Sequence, residues 1–168
     1  MNSDFNWADV ACDAAQNPGG RIVFGKGPAY VADVIGTASM VYLASPYSKR
    51  CVNRMGKWDL GLSGRASADA ARAVGALKDV GVSAFSPIVQ SAEVVHATLN
   101  PFRVQAEPAP QHDPLNAEGW LRWCMPFLYA AYALVIPDIE GWDQSSGIKA
   151  EVVEALLIGI PIIIYAKG

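Results

Sequence analysis

The sequence predicts an α/β domain built on a parallel sheet. Apolar runs of strand length alternate with segments of helical periodicity, three of those runs close on a proline, and 52 % of the 168 residues are hydrophobic. Alternating strands and helices imply crossover connections and therefore a parallel sheet. A chain of this length and apolar content buries a core without disulfide or metal staples.

The elements follow in order. Residues 4–16 read as a short helix with Asp4 as N-cap, ended by Asn17-Pro18-Gly19-Gly20. Residues 21–38 hold a β-like run, Arg21 to Phe24, and no firm element, so residues 1–39 stand as an N-terminal extension and 40–168 as the organised domain. The first strand is Met40 to Ala44, stopped at Ser45-Pro46-Tyr47, and a helix over 65–80 closes at Gly81. The second strand is Val82 to Ser86, ended by Pro87. Residues 88–115 read as irregular, long enough to be a candidate binding loop. A helix over 117–131, distorted at Pro126, precedes a third strand near 133–137. A polar loop from Asp138 leads into a helix over 147–157, and Gly159 caps it before a fourth strand, Ile160 to Tyr165. Ligands of such sheets bind beyond the carboxyl ends of the strands, at the switch point. A pocket there requires the order 2-1-3-4, that of a Rossmann-like or flavodoxin-like three-layer sandwich.

Several function classes are excluded. Thirteen Lys and Arg against sixteen Asp and Glu give a net charge of −3, which offers no field for nucleic acid, although a free nucleotide needs only a local anion site. Cys12, Cys51 and Cys124 form no CxxC pair, so neither a disulfide framework nor a zinc knuckle is expected, and a reducing cytoplasm is the simpler compartment. The start of the chain, with Asp4 and Asp9, does not read as a signal peptide, and no apolar run approaches the roughly 18 residues of a membrane span. No His/Asp/Glu cluster has metal-ligand spacing, and GxGxxG, GxxxxGK and GxSxG are all missing, so neither a metal nor a cofactor is expected.

The most informative stretch runs from Gly141 and Trp142 through Ser145-Ser146-Gly147 to Glu151, between a strand end and a helix start. A Ser-Ser-Gly turn there presents amides and hydroxyls at the positive end of a helix dipole, which suits an anion. Ordinary helix capping by serine, with a glutamate complementing the dipole, accounts for the same residues.

The pattern Ser145-x-Gly147-x-x-x-Glu151, then Ala155, Gly159 and Pro161, resembles the nucleoside 2-deoxyribosyltransferase superfamily and the related nucleotide N-hydrolases, as does the tyrosine of Val41-Tyr42-Leu43-Ala44-Ser45-Pro46-Tyr47. Gly141-Trp142 before the serines and Pro46-Tyr47-Ser48 after the strand look like the branch known as the DUF1937 family. The resemblance spans roughly residues 40–166. It implies that Glu151 attacks the anomeric carbon as a nucleophile, in the manner of a retaining glycosidase. It implies further that Tyr42 holds that carboxylate, that Ser145 contacts a 5′-phosphate, and that the protein forms a homo-oligomer. One position departs from the pattern: Cys124 stands where the family carries an aspartate that serves the base. A thiol cannot do that work, and a small buried apolar role also explains it.

Other candidates come from position. Ser45 and Tyr47 sit at the end of the first strand, beside the expected pocket. His96 is placed to touch a base or phosphate, or to be a solvated loop residue. Lys49, Arg50 and Arg54 offer charge to a phosphate or belong to a solvated loop. Trp58, Trp120, Trp123 and Trp142 are base-stacking candidates or core. Two functions follow: cleavage of the N-glycosidic bond of a nucleoside or nucleoside 5′-monophosphate, or a nucleotide-binding or sensing domain without chemistry.

Overall fold

Five short strands form one all-parallel sheet in the order β1-β5-β4-β2-β3. They are β1 (Ile22–Phe24), β2 (Met40–Leu43), β3 (Ser83–Phe85), β4 (Ala133–Ile136) and β5 (Ile162–Ile164). The helices are α1 (Pro28–Ile35), α2 (Leu60–Asp79), α3 (Pro87–Ala97), α4 (Ala117–Ala130) and α5 (Ser146–Ile158). This computed structural model describes residues 20–36, 39–99 and 112–167, with residues 6, 7, 9, 10 and 12.

Strands buried on both faces read as continuous apolar runs, and side-chain alternation sorts them into two layers. Tyr42, Ala44, Leu134, Ile136, Ile162 and Ile164 face α4 and α5, where Leu128, Ile148, Val152 and Ala155 meet them. Val41, Leu43, Ala133, Val135 and Ile163 face the other way, against Val31 of α1 and Leu77 of α2. The result is a three-layer sandwich. The expected order 2-1-3-4 is that of β3-β2-β4-β5, with Val41 in register with both Ala84 and Ala133. Because β2 lies between β3 and β4, the connection leaving β2 runs toward β3 and the one leaving β4 runs toward β5, and their divergence opens a crevice beyond the carboxyl ends of β2 and β4.

Three differences from the sequence expectations have physical causes. The run at 22–24 is a strand, pairing Val23 with Ile163, and α1 follows it with Pro28 in its first turn. Three residues are too few for periodicity to reveal, and β5 supplies the hydrogen bonds. Residues 88–97 are not irregular. Pro87 ends β3 but also sits in the first turn of α3, where its missing N–H costs nothing, and the Ser86 hydroxyl caps the Val89 amide. Helix α2 begins at Leu60 rather than 65, because the Asp59 carboxylate accepts from the Leu62 amide at 2.9 Å. Helix α4 continues through Pro126. Of the helix expected over 4–16, residues 7, 9, 10 and 12 are helical, Asn6 is not, and the rest, with Asp4, lie outside the described residues, as do residues 100–111.

Candidate functional site

The crevice is a cavity of about 470 Å³, within the usual range for small-molecule sites. Its wall on one side is the segment after β2, Ser45 to Arg50, and on the other the turn from Glu140 into α5. Residues Leu62 and Arg65 of α2, Pro87, Ile88 and Ser91 of α3, and Ala117, Trp120, Leu121 and Cys124 of α4 also line it, with Pro114.

Glu151 lies at the wall of this cavity, one and a half turns into α5, and is 8 % exposed. The Tyr42 hydroxyl, fully buried in the centre of β2, donates to Glu151 Oε1 at 2.6 Å. The two residues are 109 positions apart in the chain, and the adjacency of β2 and β4 brings them together. Burial pushes the Glu151 carboxyl up to about 7, and the Tyr42 hydrogen bond acts in the opposite direction. Burial and the neighbouring carboxyl push Tyr42 well above its ordinary range, so this phenol stays a donor. The Cys124 thiol interacts with both groups, and burial raises it to about 12, so it is a neutral thiol.

At the start of α5 the Ser145 hydroxyl accepts from the Ile148 amide at 3.3 Å. That is the capping role, and it leaves the amides of Ser146 and Gly147 at the cavity wall without an acceptor among the described residues. Across the cavity Ser45, 6 % exposed, has a buried hydroxyl that also lacks a partner among them. A helix N-terminus with unfilled amides at the wall of this cavity suits a ligand with acceptor oxygens.

The remaining sequence candidates divide. Tyr47 lines the cavity, and its hydroxyl is 2.7 Å from Ser63 Oγ and accepts from Trp58 Nε1 at 3.2 Å. His96 lies in the last turn of α3 and is not part of the lining; its Nε2 is 2.9 Å from Ser63 Oγ, behind Tyr47. Trp142 packs edge-on against Trp7, with ring centroids 4.7 Å apart, rather than lining the cavity. Trp120 is the tryptophan of the wall. The residue that sequence left ambiguous is Arg50: one guanidinium nitrogen pairs with Asp69 of α2, while Nη1 is buried and unpartnered among the described residues. The ambiguity was real, because Asp69 is nineteen positions away and only the fold brings it near. No group of three His, Cys, Asp or Glu gathers among the described residues in a way that would hold a metal.

A parallel α/β sandwich with a cavity of mixed polar and apolar lining at its switch point is a scaffold for small-molecule sites. The family model described as a domain of unknown function, DUF1937, matches residues 39–167, so the chain belongs to that family. No curated protein and no solved structure matches it. No helix among the described residues is long and apolar enough to cross a membrane.

Proposed function

We propose that this protein cleaves the N-glycosidic bond of a nucleoside or nucleoside 5′-monophosphate, with Glu151 as the nucleophile. The observation that carries the proposal is the 2.6 Å hydrogen bond from Tyr42 to Glu151 at the wall of a 470 Å³ cavity. A carboxylate acts as a glycosyl-transfer nucleophile when it is held at fixed orientation and shielded from bulk water, and Glu151 is placed in both ways. A carboxyl poised near 7 is ionised in about half of the molecules at neutral pH. One Glu151 oxygen holds the Tyr42 proton, which leaves the other for the anomeric carbon. The amides of Ser146 and Gly147 hold the 5′-phosphate or a sugar hydroxyl, with Ser45 and Tyr47 lining the same cavity. The resemblance to the nucleoside 2-deoxyribosyltransferase superfamily supports the same chemistry, and with it a cytoplasmic homo-oligomer.

Cys124 favours a second function, a nucleotide-binding or sensing domain. The thiol beside Glu151 is too weak an acid to protonate a departing base. Incubation of the full chain with a panel of nucleoside and 2′-deoxynucleoside 5′-monophosphates separates the two. Free base accumulates if the enzyme function holds. Binding without release of base identifies the sensor, and absence of both overturns the proposal.

A further inference from the structure

The turn that leads into α5 has two sides. Glu140, Gly141, Gln144, Ser145, Ser146 and Gly147 line the cavity, whereas Trp142 and Asp143 do not. On the reverse side stands Trp7, whose indole Nε1–H donates to the Asp143 carbonyl at 2.6 Å across 136 positions of chain. Its ring meets that of Trp142 edge-on, with centroids 4.7 Å apart. Trp7, Val10 and Trp142 all pack against the core layer that α4 and α5 cover. Trp7 lies outside the family match, which begins at residue 39.

The Asp143 carbonyl is the point at which the turn changes course. Residues Trp142–Gln144 form a single 3₁₀ turn, in which Gln144 donates to the Gly141 carbonyl at 3.2 Å and Ser145 to that of Trp142 at 3.3 Å. The next bond of such a ladder runs from the Ser146 amide to the Asp143 carbonyl. Instead Ser145 is extended, at φ −78° and ψ 117°, and caps α5, while the indole of Trp7 takes the Asp143 carbonyl. The Ser146 amide is left at the cavity wall.

We infer that Trp7 is a positioning residue of the site: by occupying the Asp143 carbonyl and bracing Trp142, it keeps the Ser146 and Gly147 amides turned to the cavity. The inference rests on the proposed function, in which those amides hold the 5′-phosphate. Backbone amides and carbonyls both require partners, so without the indole the 3₁₀ ladder extends by one bond. That step consumes the Ser146 amide and draws Ser145 out of its capping conformation. A phosphate then has to reverse the step before it binds, and its apparent affinity falls with the fraction of molecules in the open turn.

Calorimetric titration of the full chain, or of Glu151→Gln where turnover interferes, with nucleoside 5′-monophosphates and the matching nucleosides reads this effect. Trp7→Ala removes both the indole bond and the ring contact, and should weaken monophosphates about tenfold while changing nucleosides by about twofold at most. Trp7→Phe keeps a ring against Trp142 and loses the N–H, and should weaken monophosphates about threefold. The milder variant gives the answer if Trp7→Ala folds poorly. A general loss of packing weakens both ligand types alike. Equal weakening of nucleosides and monophosphates, or unchanged monophosphate affinity in the two variants, therefore overturns the inference while base release stands. A nucleoside that binds the unsubstituted chain as tightly as its monophosphate takes the phosphate off this turn and overturns the inference as well. Failure of every nucleoside and monophosphate to bind overturns both the inference and the proposed function.

Discussion

Glu151 and Tyr42 put a titratable pair where water is largely excluded, and the direction of each effect is fixed by geometry. Burial raises the carboxyl from 4.5 to about 7, and the Tyr42 hydroxyl pulls it down. If the carboxylate attacks, kcat/KM should rise with pH through about 7 on its acid limb. Tyr42→Phe removes the opposing hydrogen bond, so that limb should move to higher pH, by about one unit for a bond of this strength. A pH–rate profile of the two proteins checks it; an unmoved limb would mean that Glu151 does not set it. The same group makes stability depend on pH. Its folded value lies above its unfolded one, so its stabilising contribution is complete below about 4.5 and is lost as pH rises through about 7. Glu151→Gln stays neutral at every pH. Relative to the unsubstituted chain it should therefore gain about 3 kcal/mol between pH 4.5 and 8 in denaturant melts.

At the scale of the element, helix α5 carries the site because its first turn faces the cavity and its later turns pack Val152 and Ala155 into the core. Gly159, at φ +81°, ends it in the left-handed conformation that glycine adopts without strain. Ser145 caps the start. Ser145→Ala should cost about 1 kcal/mol of stability through the lost bond to Ile148. If the same turn binds phosphate, the variant should also narrow the preference for a monophosphate over its nucleoside, and loss of stability alone would confine Ser145 to capping. This helix was legible in sequence because the Ser-Ser-Gly turn before it and Gly159 after it mark its two ends. Helix α3 was not, since Pro87 reads equally as the end of a strand and the start of a helix, and only Ser86 bonding to Val89 decides. For the site, Tyr42 and Glu151 were legible through motif order. The positions of His96 and Trp142 were not, because Ser63 and Trp7, which hold them, are 33 and 135 positions distant.

For the whole molecule, the sheet is larger than the family match. The matched region begins at residue 39, yet β1 and α1 precede it, and β1 covers the outer edge of β5. Without β1, the Ile162–Ile164 run would become a bare apolar edge, a template for intermolecular pairing. Deleting residues 1–36 should therefore lower the soluble fraction and the melting temperature. A truncated chain as soluble and stable as the full one would show β1 to be dispensable. The parallel order, with β2 between β3 and β4, is also what brings a tyrosine and a glutamate from distant parts of the chain to one cavity.

Glu154 lies on the same helix, one turn beyond Glu151, and accepts from the Tyr129 hydroxyl at 2.8 Å on the solvent side. It shares helix, charge and a tyrosine partner with Glu151 but not the cavity. The decisive measurement is release of free base from nucleoside 5′-monophosphates by the full chain, by Glu151→Gln and by Glu154→Gln, with nucleotide binding measured in parallel. The expected result is release by the unsubstituted protein, a loss of at least about a thousandfold in Glu151→Gln with binding retained, and near-normal turnover in Glu154→Gln. Undiminished release by Glu151→Gln, or equal loss in both variants, would contradict a nucleophilic Glu151.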